Sequence, residues 1–271
     1  MSRRFWSRFV LISVLAAAVQ VIAPLGVNPA LAAPAPARSA AATGYDVSYP
    51  QCSSSLPVNP AFAIVGVNGG LAYSSNPCLN SEYAWASNAT STTQPHVSLY
   101  LNTGNPGPVA SSHWPPANTT TPQACDGSWS ASCAYDYGWL AAQDSFNRAS
   151  PSTGVAAARA APWWLDVETA NSWSTDTSTN RADLQGAIDG LKALGVGSIG
   201  IYSTASMWNQ ITGASTSASP LNEPFRALPN WVPGARSAKD APTLCKRSFA
   251  GGPVKLVQYP SAGFDGDYAC F

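Results

Sequence analysis

Histidine is almost missing from this chain of 271 residues, which has only His96 and His113. With no Cys-x-x-Cys pair either, the ligand spacing of a structural zinc site is lacking, and no metal or other cofactor is expected. Charge is scarce, at 10% of residues, and formally balanced at 14 basic and 14 acidic. Loss of an N-terminal segment carrying Arg3, Arg4 and Arg8 would leave the chain near minus three, which argues against a nucleic-acid partner. No internal repeat stands out, and no shift in composition divides the chain after residue 44.

An uninterrupted membrane-spanning run is also lacking. The apolar stretch from Phe9 follows three arginines, is broken by Gln20 and Pro24, and ends at Ala30-Leu31-Ala32. These are the basic, apolar and small-residue regions of a signal peptide over 1–32, with no stable membrane anchor after cleavage. Arg3-Arg4 leaves the Sec and twin-arginine routes both open. Residues 33–43, rich in Pro and Ala with nothing to bury, read as a disordered leader. Residues 44–271 are long enough for one domain with a large core.

All six cysteines follow the signal-like segment: Cys52, Cys78, Cys125, Cys133, Cys245 and Cys270. In an exported chain they read as three disulfides, for which about fifteen connectivities exist. Pairing of neighbours is the expectation: Cys52 with Cys78, Cys125 with Cys133, Cys245 with Cys270.

Short apolar runs alternate with helical stretches, which suggests parallel strands joined by crossover helices. Strands are predicted at 44–48, 62–68, 97–102, 163–168, 198–203, 230–232 and 255–259, and helices at 133–149, 180–194 and 205–211. The middle helix has the clearest stripe, Ala182, Leu184, Ile188, Leu191 and Leu194, stopped by Gly195. Two long polar segments, 104–127 and 213–229, interrupt the pattern; the first, with His113 and Trp114, reads equally as a binding loop or as plain surface.

Pro162-Trp163-Trp164-Leu165-Asp166-Val167-Glu168 ends an apolar run on two carboxylates two residues apart. In a strand these share a face. Paired carboxylates at a strand mouth suit glycosidic hydrolysis, in which one group donates a proton and another steadies the sugar cation. Further acids stand in Gly44-Tyr45-Asp46-Val47-Ser48 and in Gly263-Phe264-Asp265-Gly266-Asp267. Asp265, in an Asp-Gly pair, also reads as a turn residue and is a secondary candidate.

This order of motifs resembles the glycoside hydrolase family 25 lysozymes and the related glycoside-hydrolase-like domains of secreted bacterial proteins. Gly44, Asp46, Val47, Ser48 and Gln51 match that family's first-strand signature, Asp166 and Glu168 its middle Asp-x-Glu, and Gln258, Tyr259 and Asp267 its closing Gln-Tyr and Asp. The resemblance implies an α/β fold, a modified TIM-type (β/α) barrel with partly antiparallel C-terminal strands. It also implies hydrolysis of peptidoglycan glycan by a protein that is secreted or associated with the cell wall. By position Glu168 would be the general acid, its pKa raised by neighbouring carboxylates and by apolar cover around Trp163 and Trp164. Asp166 would stay ionised, to stabilise the transition state or orient a 2-acetamido group, while Asp46 and Asp267 would complete an acidic floor. Asn68, Asn102, Tyr202, Trp231 and Tyr259, near predicted strand ends, are the candidates for sugar binding. The match departs at the second strand, where Gly66-Val67-Asn68-Gly69-Gly70 replaces an acidic run, and at the third, Leu99-Tyr100-Leu101-Asn102-Thr103. Two functions follow, a monomeric secreted hydrolase of cell-wall glycan or other polysaccharide, and a catalytically silent glycan-binding protein of the same fold.

Overall fold

The computed structural model describes residues 43–118 and 122–270. The expected signal peptide, and the leader apart from Thr43, lie outside the described residues. Eight strands close into one barrel in chain order: β1 (Gly44–Val47), β2 (Ala63–Gly66), β3 (Val97–Asn102), β4 (Trp163–Asp166), β5 (Ile199–Tyr202), β6 (Asn230–Val232), β7 (Val254–Ser261) and β8 (Phe264–Ala269). β1 to β7 pair in parallel, and β8 runs antiparallel to both β7 and β1. The partly antiparallel barrel expected from the sequence is thus the fold.

Among the described residues six α-helices cover it: α1 (Leu79–Ala86), α2 (Gly107–Ala110), α3 (Ala131–Thr153), α4 (Val155–Ala160), α5 (Thr177–Ala193) and α6 (Ala205–Thr212). α3 outruns its predicted end at residue 149 by one turn, tolerating Pro151, and stops where Gly154 takes φ 78°. α5 begins three residues before the predicted start, because the Asp176 carboxylate accepts the Ser178 N–H at 2.9 Å and caps it. These two helices cross backbone to backbone. A Cβ on Gly138 would stand 2.0 Å from the Asp183 carbonyl oxygen, and one on Gly186 1.9 Å from that of Tyr135.

Strand alternation divides the apolar residues into two layers. Outward side chains such as Val65, Leu99, Trp163, Leu165 and Ile201 pack with Phe146, Leu184, Ile188 and Leu191 of the helices. Inward ones, Ile64, Trp164, Trp231 and Leu256, fill the lumen. Trp163 stacks on Phe146 of α3 with ring centroids 6.0 Å apart, while Trp164 meets Trp231 edge-on at 5.8 Å. The phase that turns Trp164 inward also turns Asp166 inward.

β8 goes beyond the sequence reading, whose last predicted strand ends at residue 259. Ala262 and Gly263 both have positive φ, 50° and 87°, and so make a two-residue turn with the twist of a hairpin. The residues after the turn pair with β7 from Phe264 onward. All three disulfides join the expected neighbours: Cys52–Cys78, Cys125–Cys133 and Cys245–Cys270.

Candidate active site

The carboxyl ends of the parallel strands open on a pocket of about 160 Å³, lined by Asp46, Asp166, Glu168 and Asp265 with Tyr100, Tyr202, Trp231 and Gln258. The four acids come from three parts of the barrel rim. Asp46 is on β1, Asp166 ends β4, Glu168 lies two residues beyond it, and Asp265 is on β8 directly opposite Asp46 in the strand pairing. No Lys, Arg or His lines the pocket. The carboxylates therefore meet burial and mutual repulsion without a counter-charge, and both favour the protonated form.

Asp166 is buried, and the side-chain amide of Asn102 donates to its Oδ2. Its Oδ1 has no partner. Burial first, then the charges of Glu168 and Asp46, hold its pKa well above the usual carboxylate range. That direction runs against the expectation that Asp166 stays ionised, since the neutral Asn102 amide is no substitute for a cation. Glu168 is half-buried, and its pKa is raised by burial and then by Asp265. The expected apolar cover from Trp163 and Trp164 is not its cause, because Trp163 faces the helices and Trp164 the lumen below.

Asp46 is pushed up to about 7, chiefly by burial, against the lowering effect of a hydrogen bond from Gln258 Nε2 at 2.9 Å. Gln258 is held in turn, since Tyr202 donates its hydroxyl to Oε1 at 2.8 Å, which fixes the amide orientation. Asp267 sits one step deeper, opposite Gly44, with no exposed surface. Its Oδ1 accepts Trp231 Nε1 at 2.8 Å. Burial and then the charge of Asp46 hold the pKa of Asp267 well above the ordinary carboxylate range.

The expected residues thus fall into two groups. Asp46, Asp166, Glu168, Tyr202 and Trp231 meet at the pocket wall. Asp267 lies beneath it, whereas Asp265, ranked second from sequence, reaches it; both share the inward face of β8, at different depths. Asn68 and Asn102 stand behind the wall. The Asn102 backbone N–H donates to Asn68 Oδ1 at 3.0 Å, and Asn68 Nδ2 returns a bond to the Asn102 carbonyl at 3.4 Å. Asn68, 1% exposed, braces the strand that presents Asn102 to Asp166. Tyr259 also lies off the pocket wall. Gln258 takes the inward phase of β7, so Tyr259 packs in the outer layer and its hydroxyl bonds Thr43 at 3.2 Å.

Sequence reasoning passed over Tyr100 and Gln258 as site residues. Period-two alternation was the available signal, because Tyr100 shares a face with Asn102, and Gln258 with Leu256. Elsewhere, Cys52 and Cys78 lie close to the Glu82 carboxylate, but their disulfide leaves no thiolate to bind a metal.

Comparison with known proteins agrees with this geometry. A family model described as lysozyme-like protein 1 matches residues 140–222, the stretch that contains Asp166 and Glu168. A probable GH family 25 lysozyme 4 of Dictyostelium discoideum is 45% identical over 56 residues, which make up 21% of this chain and 25% of that protein. The chain therefore aligns with about a quarter of that curated relative. Among solved structures, the bacterial lysozyme from Streptomyces coelicolor superposes with a TM-score of 0.52 at 18% identity, covering 86% of this chain and 94% of that one. A family GH25 lysozyme from Aspergillus fumigatus gives 0.51 at 17% identity, covering 85% and 94%. These structural matches bear on the fold. The resemblance to the family 25 lysozymes is found in sequence over segments and in fold over the barrel.

Proposed function

We propose that this chain, a relative of the family 25 lysozymes in fold, is a secreted glycoside hydrolase acting on the glycan of bacterial cell wall. One observation carries the proposal: Asp46 lines a single pocket at the carboxyl end of the barrel with Asp166 and Glu168, a pair far from it in sequence. Three disulfides suit an oxidising compartment outside the cytoplasm.

In this reading Glu168 is the general acid. Half-buried and with a raised pKa, it keeps its proton to higher pH than a free glutamate and passes it to the glycosidic oxygen as the C1–O bond breaks. Asp166 has one oxygen tied to Asn102 and one without a partner. The free oxygen suits an acetamido N–H, which supports the orienting role: the acetamido carbonyl oxygen bonds C1 as the leaving group departs. Water then attacks C1 as the bond from C1 to the acetamido oxygen breaks, giving its proton to the Glu168 carboxylate and restoring the acid. Asp46, fixed by Gln258 and paired with Asp267, supplies a wall whose charge changes near neutral pH.

Purified peptidoglycan incubated with the protein should release new reducing ends, and Glu168→Gln should lower the rate about a thousandfold. Glycan binding without any release would replace the hydrolase by the silent binding protein. Equal activity in both proteins would remove Glu168 from the mechanism.

A further inference from the structure

Around the barrel mouth from the acidic pocket lies another of about 160 Å³, formed by the loops after β2, β3 and β4. Leu71, Ala72, Pro106 and Ala110 give it an apolar wall, Tyr137 closes one side, and Asn171 stands on the other. No ionisable carboxylate or cation lines it, in contrast with the four acids next door. The two pockets are joined through the backbone. Thr103, which lines the second, follows Asn102, which bonds Asp166. The Asn171 N–H donates to the Glu168 carbonyl at 3.2 Å, so one turn carries both the acid and the amide.

This second pocket is pre-formed. Asn105, with no exposed surface, donates its backbone N–H to the Ser172 carbonyl at 2.8 Å. Its side chain reaches Thr179 at 3.0 Å and Asn180 at 2.9 Å on α5, and accepts Trp129 Nε1 at 2.9 Å. The β3 and β4 loops are clamped together by these bonds, and Gly104 lets them approach: a Cβ there would stand 3.2 Å from the Ser172 oxygen. Against this fixed frame, the half-buried Asn171 side-chain amide makes no hydrogen bond among the described residues, while Leu71 at the rim is 59% exposed. A free amide beside an apolar wall complements another amide that carries a methyl group. Asn171 can accept its N–H and donate to its carbonyl, and the wall takes the methyl.

We infer that this pocket receives the acetamido substituent of the sugar next to the one being cleaved, and so selects N-acetylated glycan over its free amine. The inference rests on the glycan reading of the acidic pocket. Asn171 also borders a pocket on the far side of its loop, with Thr169 and Trp173, so Asn171→Leu is paired with Ala110→Trp, which fills only the pocket argued for.

The test compares purified peptidoglycan with the same material chemically de-N-acetylated. For the wild type, loss of acetyl groups should raise KM about tenfold, the size expected when a hydrogen-bonded group is removed from a built site. An additional fall in kcat belongs to the reacting ring. Each variant should raise KM on the acetylated glycan to a similar degree, with kcat changed by less than about twofold, and should abolish the acetyl dependence of KM. Variants whose KM and acetyl preference match the wild type overturn the inference and leave hydrolysis standing. The same pairs are measured for binding in a Glu168→Gln background. Acetyl-selective binding that both variants lose, in a protein that hydrolyses nothing, upholds the pocket while the hydrolase reading fails. Absence of binding to either glycan overturns both.

Discussion

The two ends of the barrel differ in everything that matters to chemistry. At the amino ends of the strands lies a cavity of about 450 Å³, far larger than the acidic pocket. Four prolines line it, Pro95, Pro162, Pro229 and Pro253, together with Phe62, Trp164 and Leu256. Three of these prolines immediately precede β4, β6 and β7, where a fixed φ and a missing N–H are tolerated. Lys255 is the sole ionisable side chain among the lining residues. At the carboxyl ends a smaller space gathers four acids and a network of amides and hydroxyls. Volume follows from how the strands begin, and reactivity from which side chains the strand ends release into loops.

The largest expected contrast is in rate. A bulky residue at the amino end, Thr93→Trp, should leave glycan hydrolysis within about twofold of wild type, whereas Asp166→Asn should lower kcat about a hundredfold. An amino-end substitution that cost as much as Asp166→Asn would dissolve the distinction between the two ends.

Next in size is the pH profile. A general acid must hold its proton, and burial together with Asp265 raises the pKa of Glu168, so activity should decline only above the ordinary glutamate range. Asp265→Asn removes that charge and should move the alkaline limb of kcat to lower pH, by up to about one unit. A limb that stays in place in this variant would separate Asp265 from Glu168.

The smallest effect is on stability. Asp46 and Asp267 have folded-state pKa values above those of free carboxylates, so the folded protein retains protons that the unfolded chain releases. Stability is full below the ordinary carboxylate range and is lost as pH climbs through about 7, the value reached by Asp46. Asp267→Asn keeps an acceptor for Trp231 and a donor for Asp46 but does not titrate. It should raise stability at pH 8 by about 1 to 2 kcal/mol and flatten the fall in Tm between pH 5 and pH 8. Parallel Tm curves for variant and wild type would contradict the raised pKa of Asp267.

Asp166 and Glu168 were legible because a strand followed by a loop converts i, i+2 spacing directly into a common mouth. Asp46 was legible from its place in the first-strand signature. The closing strand was harder. Without the Ala262-Gly263 turn, nothing in Phe264-Asp265-Gly266-Asp267 tells which acid is nearer the opening, and antiparallel pairing puts the earlier one, Asp265, at the top. Tyr259 was misplaced by one residue of phase, the smallest error that sends a side chain to the opposite face. α1 and α4 escaped notice for another reason: with 8 and 6 residues they are too short to display an apolar stripe.

The central claim is that the acidic mouth, and not the larger cavity, performs the chemistry. Release of reducing ends from purified peptidoglycan by wild type, Glu168→Gln and Thr93→Trp, measured side by side, tests it most directly. The account predicts activity in the wild type and in Thr93→Trp, and loss of about a thousandfold in Glu168→Gln. Activity in Glu168→Gln equal to that of the wild type, or no release by any of the three, would contradict it.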